Sequence, residues 1–170
     1  MTLRFLLTSF TTWECHQKTN SSDDLLHRVS QCHPSPETLI LLRKLPVESE
    51  TAIAQTQDYM NRYHPSWVLC CGMAEPRDRL SIESNARKGK NTLRSQIDLE
   101  QLIDGLDNIY ISHDAGKFVC EDLYYGILET IQIQKLNTRT LFIHVPILHP
   151  QNETTICNAF LQLLHRLETL

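Results

Sequence analysis

The chain has 170 residues, 41% of them hydrophobic and 21% charged, which is enough apolar content for one domain built around a substantial core. A net charge of −4 and a pI near 6.0 offer no general attraction for nucleic acid or an anionic membrane. The short basic run Arg87 to Lys90 reads as a solvated loop, and neither partner class is expected.

The opening MTLRFLLTSF is apolar over far too short a stretch to span a bilayer and has no signal-peptide cleavage pattern behind it; Leu3 to Ser9 reads as a first buried strand. Further apolar runs predict strands at Thr38–Leu42, Trp67–Cys71, Leu80–Ile82, Asn108–Ile111 and Thr140–Val145. Helical spacing predicts helices at Asp23–Val29, Glu50–Tyr63, Leu99–Leu106, Phe118–Gln134 and Glu153–Leu167. Pro34 to Pro36 and Gly89 to Asn91 mark loops rather than domain boundaries. Strands alternating with helices imply a layered α/β fold with helices on both faces of the sheet.

Six cysteines, Cys15, Cys32, Cys70, Cys71, Cys120 and Cys157, accompany no secretory signal, so they are expected as reduced thiols in a cytoplasmic protein. Cys15-His16 and Cys32-His33 pair metal-ligand types, which makes zinc the competing idea. Neither has C-x-x-C spacing, and no metal site is expected. Gly72 to Arg77 lacks the lysine and glycines of a phosphate-binding loop, and no cofactor is implied.

Chemistry concentrates in Ser112-His113-Asp114-Ala115-Gly116-Lys117-Phe118-Val119-Cys120 and in the later run Leu141-Phe142-Ile143-His144-Val145-Pro146. The first reads as strand, turn and helix, so Cys120 falls in the first helical turn. Unpaired backbone N–H groups there favour a thiolate and can receive a developing oxyanion. His144 sits near the end of a strand that Pro146 terminates, where catalytic groups of α/β sheets often gather. Glu83, in Leu80-Ser81-Ile82-Glu83, is the best candidate for a carboxylate that fixes the histidine's tautomer. Taken singly, a cysteine beside Phe118 and Val119 is more often a small buried hydrophobe and a strand histidine a hydrogen-bonded core residue. Together the three read as a cysteine hydrolase.

These segments resemble pyroglutamyl-peptidase I, the pyrrolidone-carboxylate peptidase family of cysteine peptidases. The resemblance lies in Ala115-Gly116-Lys117-Phe118-Val119-Cys120 with Leu123-Tyr124-Tyr125-Gly126 behind it, then Phe142-Ile143-His144-Val145-Pro146. Gly72-Met73-Ala74-Glu75-Pro76-Arg77 and Ile82-Glu83-Ser84-Asn85-Ala86 look like degraded copies of the family's glycine-rich and glutamate segments. The resemblance implies a single hydrolase domain over residues 1–170, a three-layer α/β/α sandwich with a mixed, mostly parallel sheet. It further implies a triad of Cys120, His144 and Glu83 acting through a thioester on peptides with an N-terminal pyroglutamyl residue, without a cofactor, in a homo-oligomer that is commonly a dimer or tetramer. Residue by residue it assigns Phe10, Trp13, Met73, Phe118 and Val119 to the lactam pocket.

The chain departs from that pattern in several places. The paired glycines expected after Trp13 are missing, Met73 stands where glutamine is usual, and the segment between Glu83 and Cys120 is short. An oxyanion arginine from that segment is either Arg87 or Arg94. Glu121, directly after Cys120, would oppose thiolate formation unless its carboxylate points away. The same mechanism on another small amide, and a catalytically silent binding protein on the same fold, are the alternatives.

Overall fold

The computed structural model describes residues 3–170. One six-stranded sheet runs in the order β2 (Leu39–Leu45), β1 (Phe5–Phe10), β3 (Trp67–Met73), β8 (Arg139–Val145), β4 (Leu80–Glu83), β7 (Ile109–Ser112). The first four are mutually parallel; β4 and β7 are parallel to each other, and β4 meets β8 antiparallel. Five α-helices flank the sheet: α1 (Ser21–Cys32), α2 (Ser49–Tyr63), α3 (Leu99–Ile103), α4 (Val119–Gln134) and α5 (Glu153–Glu168). This is the expected α/β sandwich with a mixed, mostly parallel sheet.

The period-two alternation of the strands sorts their side chains into two cores. Leu7, Leu69, Cys71, Ile82, Leu141 and Ile143 face α1, α3 and α5. Leu6, Phe10, Val68, Cys70 and Phe142 face α2 and α4. On this second face the pattern changes toward one end: Gly72, Ser81, Glu83 and His144 occupy positions that would otherwise continue the apolar layer. In the register, Gly72 is the partner of His144 across β3 and β8, and Ser81 is its partner across β4 and β8.

A two-stranded hairpin, β5 (Asn85–Lys88) and β6 (Asn91–Arg94), stands where the sequence suggests only a loop. Its strands are mostly polar and exposed, so they lack the apolar alternation that reveals the others. The hairpin forms because Gly89 takes a φ of 60° in the tight connection and Ala86 is buried against α4. Helix α1 starts earlier than periodicity alone indicates, because Asn20 caps it by accepting the Ser22 N–H at 3.0 Å. Helix α3 is shorter, ending at Ile103 before Gly105 with its φ of 72°.

Asp23, on α1, ties three elements together beside the first core. It accepts Ser9 Oγ at 2.8 Å from β1, and both its oxygens accept the Arg43 guanidinium of β2, at 2.8 and 2.9 Å. Burial pushes its carboxyl up, but the Arg43 and Ser9 bonds outweigh this and hold it below the ordinary 3.8. Asp23→Ala should therefore cost about 2–4 kcal/mol in urea unfolding at neutral pH. Because the folded-state value is depressed, the contribution is present above the ordinary value and fades as pH falls through the folded one. Equal urea midpoints at neutral pH would show that the pair contributes nothing.

Candidate active site

The turn before α4 places the thiol. Gly116 adopts a φ of 92°, a conformation other residues resist, and its N–H donates to Asp114 Oδ1 at 3.2 Å. The chain then enters α4 at Val119, which puts Cys120 in the first turn, where N–H groups have no partner within the helix. The thiol lies over Gly72: a Cβ added there would stand 2.7 Å from Cys120 Sγ and 3.0 Å from the Phe142 ring. Glycine at this point of β3 makes the room that the sulfur occupies. Since Gly72 is the cross-strand partner of His144, thiol and imidazole are held on the same face of the sheet.

His144 is buried, and its Nδ1 is 2.7 Å from Glu83 Oε1. Glu83 is wholly buried. Burial raises its carboxyl, but the His144 hydrogen bond and the nearby Arg77 outweigh this and leave it below the ordinary value. A carboxylate only accepts hydrogen bonds, so Nδ1 carries the proton and Nε2 is the basic nitrogen. Burial also holds the imidazole below its usual range despite the carboxylate, so the ring is neutral at pH 7.

The thiol departs from what its place on the helix suggests. Burial pushes Cys120 up to about 12, with Cys70 and Glu83 adding to the rise and Arg77 and the helix N–H opposing it. The partial charge of one helix end is too small to offset removal from water. The resting pair is a thiol and a neutral imidazole, not an ion pair. Glu121 is not a cause: its Oε1 turns to the hairpin and accepts the Arg87 N–H at 3.1 Å.

A pocket of about 560 Å³ opens over the thiol. Phe10, Trp13, Met73, Phe118 and Val119 all line it along with Cys120 and His144. Phe10, Met73 and Val119 form buried walls, whereas Trp13 and Phe118 are 46% and 80% exposed and form the rim.

A family model described as pyroglutamyl peptidase matches residues 104–160, which include Cys120 and His144. The pyrrolidone-carboxylate peptidase of Bacillus cytotoxicus is 25% identical over 138 residues, covering 66% of this chain and 64% of the relative, so the alignment spans just under two thirds of that protein. The enzyme of that name from Brachyspira hyodysenteriae is 26% identical over 150 residues, covering 72% and 75%. Among solved structures, pyroglutamyl peptidase I from Bacillus amyloliquefaciens superposes with a TM-score of 0.80 at 18% identity over 98% of this chain and 93% of its own. The pyrrolidone carboxyl peptidase of Thermococcus litoralis gives 0.79 at 15% identity, over 97% and 93%. The chain is thus similar to the pyroglutamyl peptidases in sequence over residues 104–160 and shares their fold over nearly all of its length.

The structure puts a different arginine at the pocket from the two that the resemblance suggests. Neither Arg87 nor Arg94 reaches the pocket: both lie on the β5–β6 hairpin, and Arg87 Nη2 donates to the His113 carbonyl at 2.8 Å. Arg77 is the pocket arginine. Its Nη1 donates to Glu83 Oε1 at 2.6 Å and to Ser81 Oγ; its Nη2 donates to Ser112 Oγ at 3.2 Å and to the Asp114 carbonyl at 3.0 Å. One guanidinium thus joins the buried carboxylate to the turn that delivers Cys120. The sequence signal was its place in the degraded glycine-rich segment, but a residue in a loop has no periodicity to say where it reaches. Met73 is buried and its sulfur accepts the Ser21 N–H at 3.4 Å, so this departure from the family's glutamine also secures the start of α1. Among the described residues no three His, Cys, Asp or Glu side chains converge as a metal site, and all six cysteines are free. No helix among them is long and apolar enough to cross a membrane.

Proposed function

We propose that the protein is a cysteine-type exopeptidase that hydrolyses the amide bond after an N-terminal pyroglutamyl residue, with Cys120, His144 and Glu83 as its triad. The observation that carries this reading is the thiol seated over Gly72, in the same aromatic-rimmed pocket as an imidazole whose Nδ1 is bound to a buried carboxylate. The names of the relatives supply the substrate class.

A flat, uncharged lactam suits the walls made by Phe10, Met73 and Val119 under a rim of Trp13 and Phe118, whereas a charged α-amine buried there would lack a partner. Cys120 Sγ attacks the pyroglutamyl carbonyl as its proton passes to His144 Nε2, and first-turn N–H groups of α4 receive the oxyanion. His144 returns the proton to the leaving amine as the C–N bond breaks, which leaves a thioester. A water deprotonated by His144 then attacks the thioester and releases pyroglutamate, and the proton returns to the thiolate. Glu83 holds the imidazole and stabilises its charged form. The chemistry uses no cofactor. Six free thiols support a reducing compartment such as the cytoplasm, and a dimer or tetramer completes the reading.

A panel of fluorogenic pyroglutamyl, prolyl and other aminoacyl amides tests it. Selective pyroglutamyl turnover is the expected result; preference for another amide would reassign the substrate, and silence across the panel would leave a binding protein on this fold. The pH profile gives a second expectation. The base works when neutral and its pKa is depressed, so the acid limb of kcat/KM should lie below 6.5, the ordinary histidine value. A limb well above that value would mean that His144 is not the group titrating.

A further inference from the structure

Residues 11–20 link β1 to α1 without regular secondary structure, yet they carry Trp13 to the pocket rim. Such a segment needs specific bonds to hold a half-exposed indole in one place. Its ends are secured by the Thr11 N–H on the Leu45 carbonyl at 3.0 Å and by Asn20 Nδ2 on the Thr11 carbonyl at 3.0 Å. Between them, Gln17 closes a turn on Trp13 itself. Gln17 Oε1 accepts the Trp13 N–H at 3.1 Å and the Glu14 N–H at 3.2 Å, and the Gln17 N–H donates to the Glu14 carbonyl at 3.1 Å.

The other end of the same amide leaves the loop. Gln17 Nε2 donates to Glu75 Oε1 at 2.8 Å, and His16 Nε2 lies 3.1 Å from the same oxygen. Glu75 belongs to the segment that follows β3, two residues after Met73, and that segment also supplies Arg77 to the pocket. Its carboxyl is held below the ordinary range, first by the Gln17 bond and then by His16, so it is an acceptor at neutral pH. Two separate segments of the pocket are thereby clasped through side chains, next to the place where the family's paired glycines are missing.

We propose that Glu75 and Gln17 are positioning residues that hold Trp13 at the rim of the pocket, so that recognition of the substrate ring depends on this clasp. Glu75 fixes the Gln17 amide, and the amide oxygen fixes the Trp13 backbone. Neither residue takes part in proton transfer. The clasp sets ring binding, which is equal in ground and transition states, rather than the chemical step.

Acrylamide quenching of Trp13 fluorescence in the full chain tests the clasp without any substrate. Trp67, the other tryptophan, is buried, and a Trp13→Phe variant supplies its background. Glu75→Ala and Gln17→Ala should each raise the Trp13 quenching constant by about twofold as the ring becomes fully solvated. Glu75→Gln keeps an acceptor oxygen and should quench like the wild type, and the Glu75→Ala/Gln17→Ala double variant should not exceed either single change. Unchanged quenching in both single variants, or additive effects, overturns the clasp.

The kinetic arm rests on the proposed pyroglutamyl reading. There, Glu75→Ala and Gln17→Ala should raise KM for a pyroglutamyl amide by roughly threefold to tenfold, the loss of one or two hydrogen bonds, with kcat within about twofold. A fall in kcat at unchanged KM overturns the positioning role. If the wild type cleaves no pyroglutamyl amide, that reading fails, and the quenching result alone decides the clasp.

Discussion

Cys120→Ala should lower kcat on a pyroglutamyl amide by roughly 10⁵- to 10⁶-fold, because removing the nucleophile of the proposed triad leaves only the rate that substrate positioning supplies. The fold should survive. The thiol rests over Gly72 on the second core, and losing one sulfur there should shift the unfolding midpoint by only a few degrees, on the order of 1 kcal/mol. Full kinetics on the purified variant, with circular dichroism to verify folding, decide the matter. Residual turnover above about a hundredth of wild type would place the nucleophile elsewhere. Cys15 and Cys32, both exposed, would be the next thiols to replace.

Glu83→Gln should lower kcat by roughly 10²- to 10⁴-fold, since the amide keeps the shape of the carboxylate but can no longer impose the tautomer or stabilise the imidazolium. It should also destabilise the protein. Arg77, with only 17% of its side chain exposed, would lose the carboxylate it meets at 2.6 Å, and a largely buried cation without its partner costs about 3 kcal/mol. The two effects separate in the double variant Glu83→Gln/Arg77→Met, which should regain much of the stability but none of the turnover. Losing the carboxylate that supports His144's charged form should move the acid limb of any residual activity further down in pH. A Glu83→Gln enzyme with wild-type kcat would remove Glu83 from the triad; recovery of kcat in the double variant would mean that the orphaned arginine, not the missing carboxylate, was the defect.

Strong periodicity made the frame legible in the sequence. Runs such as Leu3–Ser9, Trp67–Cys71 and Thr140–Val145 are apolar on both faces, as central strands between two helical layers must be, and each is a strand of the sheet. The polar interruptions were legible for the same reason. In strands this apolar, Glu83 and His144 stand out, and a cysteine just after Gly116 announces the start of a helix. Boundaries blurred where side chains rather than periodicity set them, as at the Asn20 cap. The hairpin of β5 and β6 leaves no mark in the sequence, because exposed polar strands carry no burial pattern.

What sequence alone determined, then, was which residues could supply the chemistry: pattern reports the face of a strand or helix that a side chain occupies, and residue type reports what it can do there. Which residues meet was decided by the tertiary structure. Glu83 reaches His144 only because β4 docks antiparallel on β8 with Ser81 opposite the imidazole. Cys120 enters the same pocket over Gly72 because that residue, the cross-strand partner of His144, has no side chain. Arg77, Gln17 and Glu75 come from segments without period, so their bonds exist only once the strands have fixed where those segments begin and end. The protonation state of the thiol was likewise out of reach, because it depends on how much water the folded site excludes, and burial here outweighs the helix end that the sequence could reveal.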